Sequence, residues 1–421
     1  IYRKQAAENA NAAKVRTKKA NKVATKRMKL AGKLLSENKK DAFYGLQGRR
    51  MGLCMYLVLM IVFVVLAQRV RPQMIMFIFF AAANAFAYAV AIGQHMEHDF
   101  LNLRYNIASN QYTKFISTFG NINMYASYLS ISIPVLLAVF AFCKNWFSRI
   151  LSGILLIAAG CNILIANSDS VFLGIFAGVV VVTILAFMQG RLRYSSFAVF
   201  LLFVGNLVLG FINKYGHTRY DKKRGGLAIA LNRLDIAFVL CGAALLVFAV
   251  VCVCNWKLGT RVAAWNKKKI VLIVCGACVA LGVIGIIVLA VTGSSLLTFN
   301  DKWGSYRGYI WRKIVEVYGD APFVNKLFGY GNESVRVTLK AACYNEMVQV
   351  TGKVYDNAHN ELLQYLFTTG IVGMLSYLAL VGSSIVYMFK HAKEHAWISV
   401  CLAATVGYFA QSILNLNQPI T

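Results

Sequence analysis

The stretch Tyr355-Asp356-Asn357-Ala358-His359-Asn360-Glu361-Leu362-Leu363-Gln364 runs straight into Tyr365-Leu366-Phe367-Thr368-Thr369-Gly370-Ile371-Val372-Gly373-Met374, and no Asp, Glu, Lys or Arg follows Glu361 until Lys390. A helix needs about 20 apolar residues to cross the hydrocarbon core of a bilayer, and this run supplies them. Comparable blocks fall at 51–68, 73–93, 122–142, 150–166, 170–188, 195–212, 235–255, 270–292 and 397–415. They predict an all-α integral membrane protein with about ten or more transmembrane helices. Soluble folds interrupt their apolar residues at helical or strand period, and a β-barrel would show short alternating segments; neither pattern is present. The chain has 421 residues, 58% of them hydrophobic and 14% charged. Pro134 lies well inside a span and predicts a kink. Glycines spread through the spans, Gly370 and Gly373 among them, suit close helix approach where no hydrophobic drive separates helix from lipid.

Most of the ten cysteines lie inside predicted spans. Cys275 and Cys278 have the spacing of a redox or zinc pair, but they sit mid-span without partner ligands and read as core filler. No metal or other cofactor is expected. Residues 1–50 form a separate zone with 15 Lys and Arg against Glu8, Glu37 and Asp41. Such a segment is either solvated and polar throughout or a contact for anionic lipid headgroups. It lacks the aromatic interleaving and motifs of nucleic-acid binding. The chain starts at Ile1 and stops soon after an apolar run, so further spans are expected beyond both ends.

Residues 51–421 then form one polytopic domain. Alternating spans put the short basic loops with Arg69/Arg71, Lys144/Arg149, Arg191/Arg193, Lys257–Lys269 and Lys390/Lys393 on one side, assigned to the cytoplasm. The opposite face carries 94–121, the turn 167–170, the basic loop 213–234 and the long segment 293–361. That last segment is too long for a passive connector and is expected to carry chemistry and short helices, Tyr306–Val317 among them.

Four patches on this outer face are unusual for membrane borders. They are Thr118-Phe119-Gly120-Asn121-Ile122-Asn123, the turn Asn167-Ser168-Asp169-Ser170, the run Gly304-Ser305-Tyr306-Arg307-Gly308-Tyr309-Ile310-Trp311 leading to Gly329-Tyr330-Gly331, and the His359 segment. In this order, over about residues 115–415, they resemble the O-antigen ligase and polysaccharide polymerase family of bacterial membrane proteins. The resemblance implies a glycosyltransferase of the bacterial cytoplasmic membrane. It would move a glycan from an undecaprenyl diphosphate carrier to a hydroxyl of a glycan or lipid-glycan acceptor at the outer face, without nucleotide or metal.

The residue types suit that reaction. An attacking hydroxyl must lose a proton, and histidine titrates near neutrality, so His359 is the candidate base. The departing diphosphate needs fixed cations, and Arg307 offers two parallel hydrogen bonds that lysine cannot copy. Asn121, Asn123, Arg219, Asn360 and Asp169 are candidate substrate-binding residues. The family often carries Arg where Asp169 stands; Asp169 would then orient His359 or cap the helix starting near Ser170. Each candidate also has a plainer role. His359 sits where an interfacial residue in a first helical turn would, Asn121 and Asn123 suit a helix start, and Trp303, Trp311 and Tyr355 suit an aromatic belt. His95-Met96-Glu97-His98-Asp99 reads as a polar border loop rather than a metal site. A transporter or flippase of lipid-linked glycans is the rival class, disfavoured by nearly charge-free spans and no internal repeat. An inactive family member is a third.

Overall fold

The computed structural model describes residues 39–45, 52–69, 71, 73–108, 111–112, 114–216, 231, 233–263 and 300–415. Among them the regular elements are all helical: α1 (Lys39–Tyr44), α2 (Leu53–Arg69), α3 (Met74–His95), α4 (Ile122–Phe142), α5 (Trp146–Ala166), α6 (Asp169–Met188), α7 (Leu192–Tyr215), α8 (Leu234–Ala263), α9 (Trp303–Gly319), α10 (Phe323–Phe328), α11 (Ser334–Thr351), α12 (Glu361–His391) and α13 (Ala396–Ser412). Seven of these are long and apolar enough to cross a membrane: α3 to α8 and α12. The runs predicted at 51–68 and 397–415 do form apolar helices, α2 and α13, but these are shorter. The predicted span 270–292 and most of the basic segment 1–50 lie outside the described residues. The chain divides into two compact units, split within α12 between Tyr377 and Leu378.

One unit holds α3 to α8, the later part of α12 and α13. Its centre is α4, whose Leu129, Ile133, Leu136 and Leu137 are completely buried. Helices α5, α6, α7 and α13 pack around it. Helix α4 continues through Pro134. Proline has no N–H to give the Ser130 carbonyl one turn earlier. Gly407 of α13 fills that side closely: a Cβ there would lie 2.5 Å from the Ser130 oxygen and 2.9 Å from the Pro134 ring. Gly178 of α6 meets the same ring, with 2.4 Å left for a Cβ. The residue that costs α4 a hydrogen bond thus becomes a knob seated among glycines.

Helices α5 and α7 approach the same way. A Cβ on Gly205 would stand 1.9 Å from the Ile157 carbonyl oxygen, and one on Gly160 would stand 2.1 Å from the Leu202 oxygen. Backbone cannot yield as a flexible side chain can. Gly205→Ala is therefore expected to cost about 1–3 kcal/mol by forcing the pair apart. It should lower the thermal midpoint of the detergent-solubilised protein; an unchanged midpoint would show that the helices part freely.

The border loop after α3 is held by polar groups of its own and by Asn213 of α7. His95 Nε2 meets Asn213 Oδ1 at 2.6 Å, His98 Nδ1 meets the Met96 carbonyl at 2.8 Å, and Asp99 Oδ2 accepts the Arg104 N–H at 2.6 Å.

The other unit holds α1, α2, α9, α10, α11 and α12 up to Tyr377. The segment expected to be a loop with short helices is mostly helix from residue 300 onward: α9 and α11 span 17 and 18 residues, α9 opening on a non-helical turn and α11 kinked at Cys343. Their buried faces meet: Tyr309, Ile310 and Ile314 of α9 pack with Val335, Leu339 and Met347 of α11, Tyr355, Ala358 and Phe367. Across the rim, Lys313 Nζ bonds Glu316 at 3.0 Å and Glu346 at 2.9 Å, while Arg312 grips Asp301 with two hydrogen bonds of 3.0 and 2.8 Å.

Gly370 was expected to let helices approach. It does so, a Cβ there standing 2.2 Å from the Leu327 oxygen of α10, and it also breaks α12, with φ 70° and ψ −174°. Breaking the ladder frees carbonyls in the preceding turn. The Tyr330 N–H donates to the Phe367 oxygen at 3.0 Å and the Gly331 N–H to the Thr368 oxygen at 2.9 Å. The Tyr330 ring stacks on Phe367 with centroids 5.0 Å apart. The Gly329-Tyr330-Gly331 turn is thus a backbone clamp on the start of α12, which it holds in place behind the His359 segment.

Candidate functional site

The site is built on the junction between α9 and the segment that leads into α12. At the start of α9, Gly304, Ser305 and Tyr306 have φ of 57°, 60° and 72°, three consecutive residues in the left-handed region. Only glycine adopts this freely; Ser305 and Tyr306 each cost roughly 1–3 kcal/mol and need support from outside. The turn folds residues 300–301 back on the helix so closely that a Cβ on Gly308 would stand 2.0 Å from the Asn300 oxygen. Arg307 is the first residue after this turn and is half-buried.

The His359 segment is wrapped by its own side chains. Asn357 Oδ1 accepts the His359 N–H at 2.8 Å, and Asn357 Nδ2 donates to Asp356 at 2.8 Å. Gln364 Oε1 reaches back to the Ala358 N–H at 2.9 Å. Asn360 Oδ1 accepts the Leu363 N–H at 2.9 Å, the bond that defines a helix N-cap. His359 itself has φ 48° and precedes the helix. It is not the first-turn residue that its sequence position suggested: the cap is Asn360, and the left-handed kink turns His359 off the helix axis.

Two hydrogen bonds tie these pieces together. The Tyr355 hydroxyl donates to the Ser305 carbonyl at 2.9 Å, and Trp311 Nε1 donates to the Ala358 carbonyl at 2.8 Å. Arg307 lies between Ser305 and Trp311, and His359 follows Ala358, so both candidates are held on directly pinned backbone. The Tyr355 and His359 rings meet edge to face with centroids 6.0 Å apart, and Lys353 Nζ lies 4.7 Å from the centre of the Tyr355 ring. Burial pushes the Tyr355 hydroxyl above its ordinary pKa, Tyr306 adds to the rise, and the Arg307 guanidinium pulls it back. A phenol that keeps its proton is a fixed donor to Ser305. Tyr355 and Trp311 are therefore misread as belt aromatics: Tyr355 is only 4% exposed and both spend their polar ends on backbone carbonyls.

The remaining candidates belong to the other unit. Asn121 is exposed and caps α4, its Oδ1 accepting the Asn123 N–H at 2.8 Å. The Asn123 carbonyl accepts Ser127 Oγ at 3.1 Å and Asn415 Nδ2 at 3.1 Å. Ser127 also donates to Gln411 Oε1 at 3.2 Å, and Gln411 Nε2 donates to Ser170 Oγ at 3.4 Å. The Gly-Asn-x-Asn patch and the serine turn are thereby linked through Gln411 of α13, which sequence reasoning missed because a lone glutamine in an apolar run carries no motif. Asp169 does not cap α6. The helix begins at Asp169 itself, Ser168 holds the cap position, and the exposed Asp169 carboxylate stands in the first turn, where the helix dipole favours a negative charge. Arg219 lies outside the described residues. Among the described residues no group of His, Cys, Asp and Glu is arranged to hold a metal ion.

Residues 225–378 match the family model described as O-antigen ligase. This part of the chain belongs to that family. The O-antigen ligase match takes in Arg307, Trp311, Tyr355, His359 and the clamp at Gly329–Gly331, and it is shorter than the 115–415 over which the motifs resemble the family. Asn121, Asn123 and Asp169 fall outside it. No curated protein matches the chain. An O-antigen ligase domain together with helices of spanning length makes this a multi-pass membrane protein of glycosyltransferase type.

Proposed function

We propose that the chain transfers a glycan from an undecaprenyl diphosphate carrier to a hydroxyl of a glycan or lipid-glycan acceptor, at the outer face of the bacterial cytoplasmic membrane and without metal or nucleotide. The observation that carries this is the double pin that keeps Arg307 and His359 on adjoining backbone. His359 takes the proton of the acceptor hydroxyl, whose oxygen bonds to the anomeric carbon. The bond from that carbon to the diphosphate breaks, and the diphosphate leaves with the electron pair. Arg307 meets the charge that develops there, with the Lys353 ammonium nearby adding to the field. Asn121, Asn123, Asp169 and Arg219 would bind substrate, with Asn360 serving through its cap. The apolar run 270–292 and the shorter helices α2 and α13 would bring the spans to about ten, and the basic segment 1–50 would meet anionic lipid.

The test is reconstitution into vesicles with an undecaprenyl-diphosphate-linked oligosaccharide and a glycan acceptor. Arg307→Lys keeps the charge but loses the planar fork, so transfer is expected to fall about tenfold or more, the scale of one charge-assisted hydrogen bond. Wild-type rates in this variant would remove Arg307 from the mechanism. Movement of the donor across the bilayer without a new glycosidic bond would replace the enzyme with a flippase.

A further inference from the structure

We propose that Tyr355 is the positioning residue of the site, its hydroxyl holding the turn that presents Arg307 and its ring holding the imidazole of His359. The inference rests on the functional reading above and adds a residue that neither the motif nor the family match singles out.

The geometry gives the two ends of one side chain separate duties. The hydroxyl bonds the carbonyl of Ser305, the middle residue of three left-handed ones, and Arg307 is the first residue beyond them. A strained turn persists only where neighbours over-determine it. At the other end, the ring stands edge to face with His359, 82° from coplanar, at the point where the chain turns off the axis of α12. Tyr355 is buried and in the apolar cluster with Tyr309, Ile310 and Phe367, so its ring is fixed by packing before either partner is considered. A displacement of Tyr355 would move the proposed base and the proposed diphosphate ligand together. The charged and titratable groups around this hub are Arg307, Lys353, His359 and the adjacent Asp356, with the Tyr306 hydroxyl on the turn.

The two duties separate by substitution. Tyr355→Phe keeps the ring and loses the bond to Ser305; Tyr355→Leu loses both. The protein is studied whole, in lipid nanodiscs, with two readouts that need no turnover. One is binding of undecaprenyl diphosphate. The other is the titration of His359 by NMR of the six histidines, assigned by its loss in His359→Asn. Tyr355→Phe should bind undecaprenyl diphosphate about 3- to 10-fold more weakly, the range for one lost hydrogen bond, with the His359 titration in place. In turnover the same variant should raise KM for the donor more than it lowers kcat. Tyr355→Leu should add a displacement of the His359 titration by about half a pH unit or more, the scale of one lost ring contact.

Wild-type binding in Tyr355→Phe overturns the hydroxyl's duty, and an unmoved titration in Tyr355→Leu overturns the ring's. If Tyr355→Leu does not fold, a His359 titration displaced in Tyr355→Phe still overturns the division of duties, and an unmoved one supports it. If the wild-type protein binds no undecaprenyl diphosphate, the donor assignment falls, while the His359 titration continues to judge the ring contact.

Discussion

His359→Asn is expected to lower glycan transfer about 10²- to 10⁴-fold while leaving the protein folded. Asparagine is the informative replacement because His359 has φ 48°, and asparagine enters the left-handed region more readily than most residues. Backbone strain is thereby kept out of the comparison, as it would not be with a β-branched residue. What is removed is the imidazole. General-base catalysis contributes about 10²- to 10⁴-fold, so single-turnover transfer from a fluorescent lipid-linked oligosaccharide should fall by that factor. The thermal midpoint should stay close to that of wild type. A base must enter the reaction deprotonated, so wild-type transfer should fall as pH drops through the His359 titration, and this acid limb should vanish from the residual activity of the variant. Transfer within about threefold of wild type would exclude His359 as the base, since it falls below the range for such catalysis.

Gly370→Ala should strongly destabilise the unit that carries the site. Gly370 has φ 70° and ψ −174°, and Gly329 has φ 76° and ψ −170°. Both lie in a region that only glycine populates. The two are also reciprocal neighbours. A Cβ on Gly370 would stand 2.2 Å from the Leu327 oxygen, and one on Gly329 would stand 2.3 Å from the Thr368 oxygen. Backbone strain of about 1–3 kcal/mol and overpacking of a similar size add to roughly 2–6 kcal/mol. That is a large part of the 5–15 kcal/mol by which a domain is typically stable. Limited proteolysis should cut Gly370→Ala between α9 and α12 under conditions that spare wild type. Gly382→Ala is the control, because a Cβ there meets nothing within 4 Å. Equal protease resistance of Gly370→Ala and Gly382→Ala would mean that the clamp at Gly329–Gly331 does not hold α12.

The membrane-spanning helices were legible because each is a nearly uninterrupted apolar block, and α3 to α7 with α12 end close to where hydropathy ends, while α8 runs on past its apolar span, which ends at Trp256. Helix α9 was legible only as the helix-like piece Tyr306–Val317 and α11 not at all, because they bury one face against each other and show charge on the other; Arg312, Lys313 and Glu316 break any apolar run. A loop and an amphipathic helix look alike to a count of apolar residues. His359 and Arg307 stood out by motif. Tyr355 and Trp311 did not, since an aromatic residue near a span end has an ordinary explanation in the membrane interface. What distinguishes them is the carbonyl each one reaches, 50 residues away for Tyr355 and 47 for Trp311. Separations of that size are decided by tertiary packing and leave no local trace. The break at Gly370 was hidden for a related reason: glycine in an apolar helix fits close packing and a kink equally, and here it serves both.

Both pins at the α9 junction join an uncharged donor to an uncharged acceptor, the Tyr355 hydroxyl to Ser305 and the Trp311 indole to Ala358. Dissolved ions screen the attraction between a guanidinium and a diphosphate over a Debye length of about 8 Å at physiological ionic strength, but they have little hold on the neutral dipoles of a partly buried contact. The frame and its grip therefore answer to different features of the medium. As electrolyte rises at the membrane surface, Arg307 should hold an anionic ligand less tightly while the backbone that carries it keeps its shape.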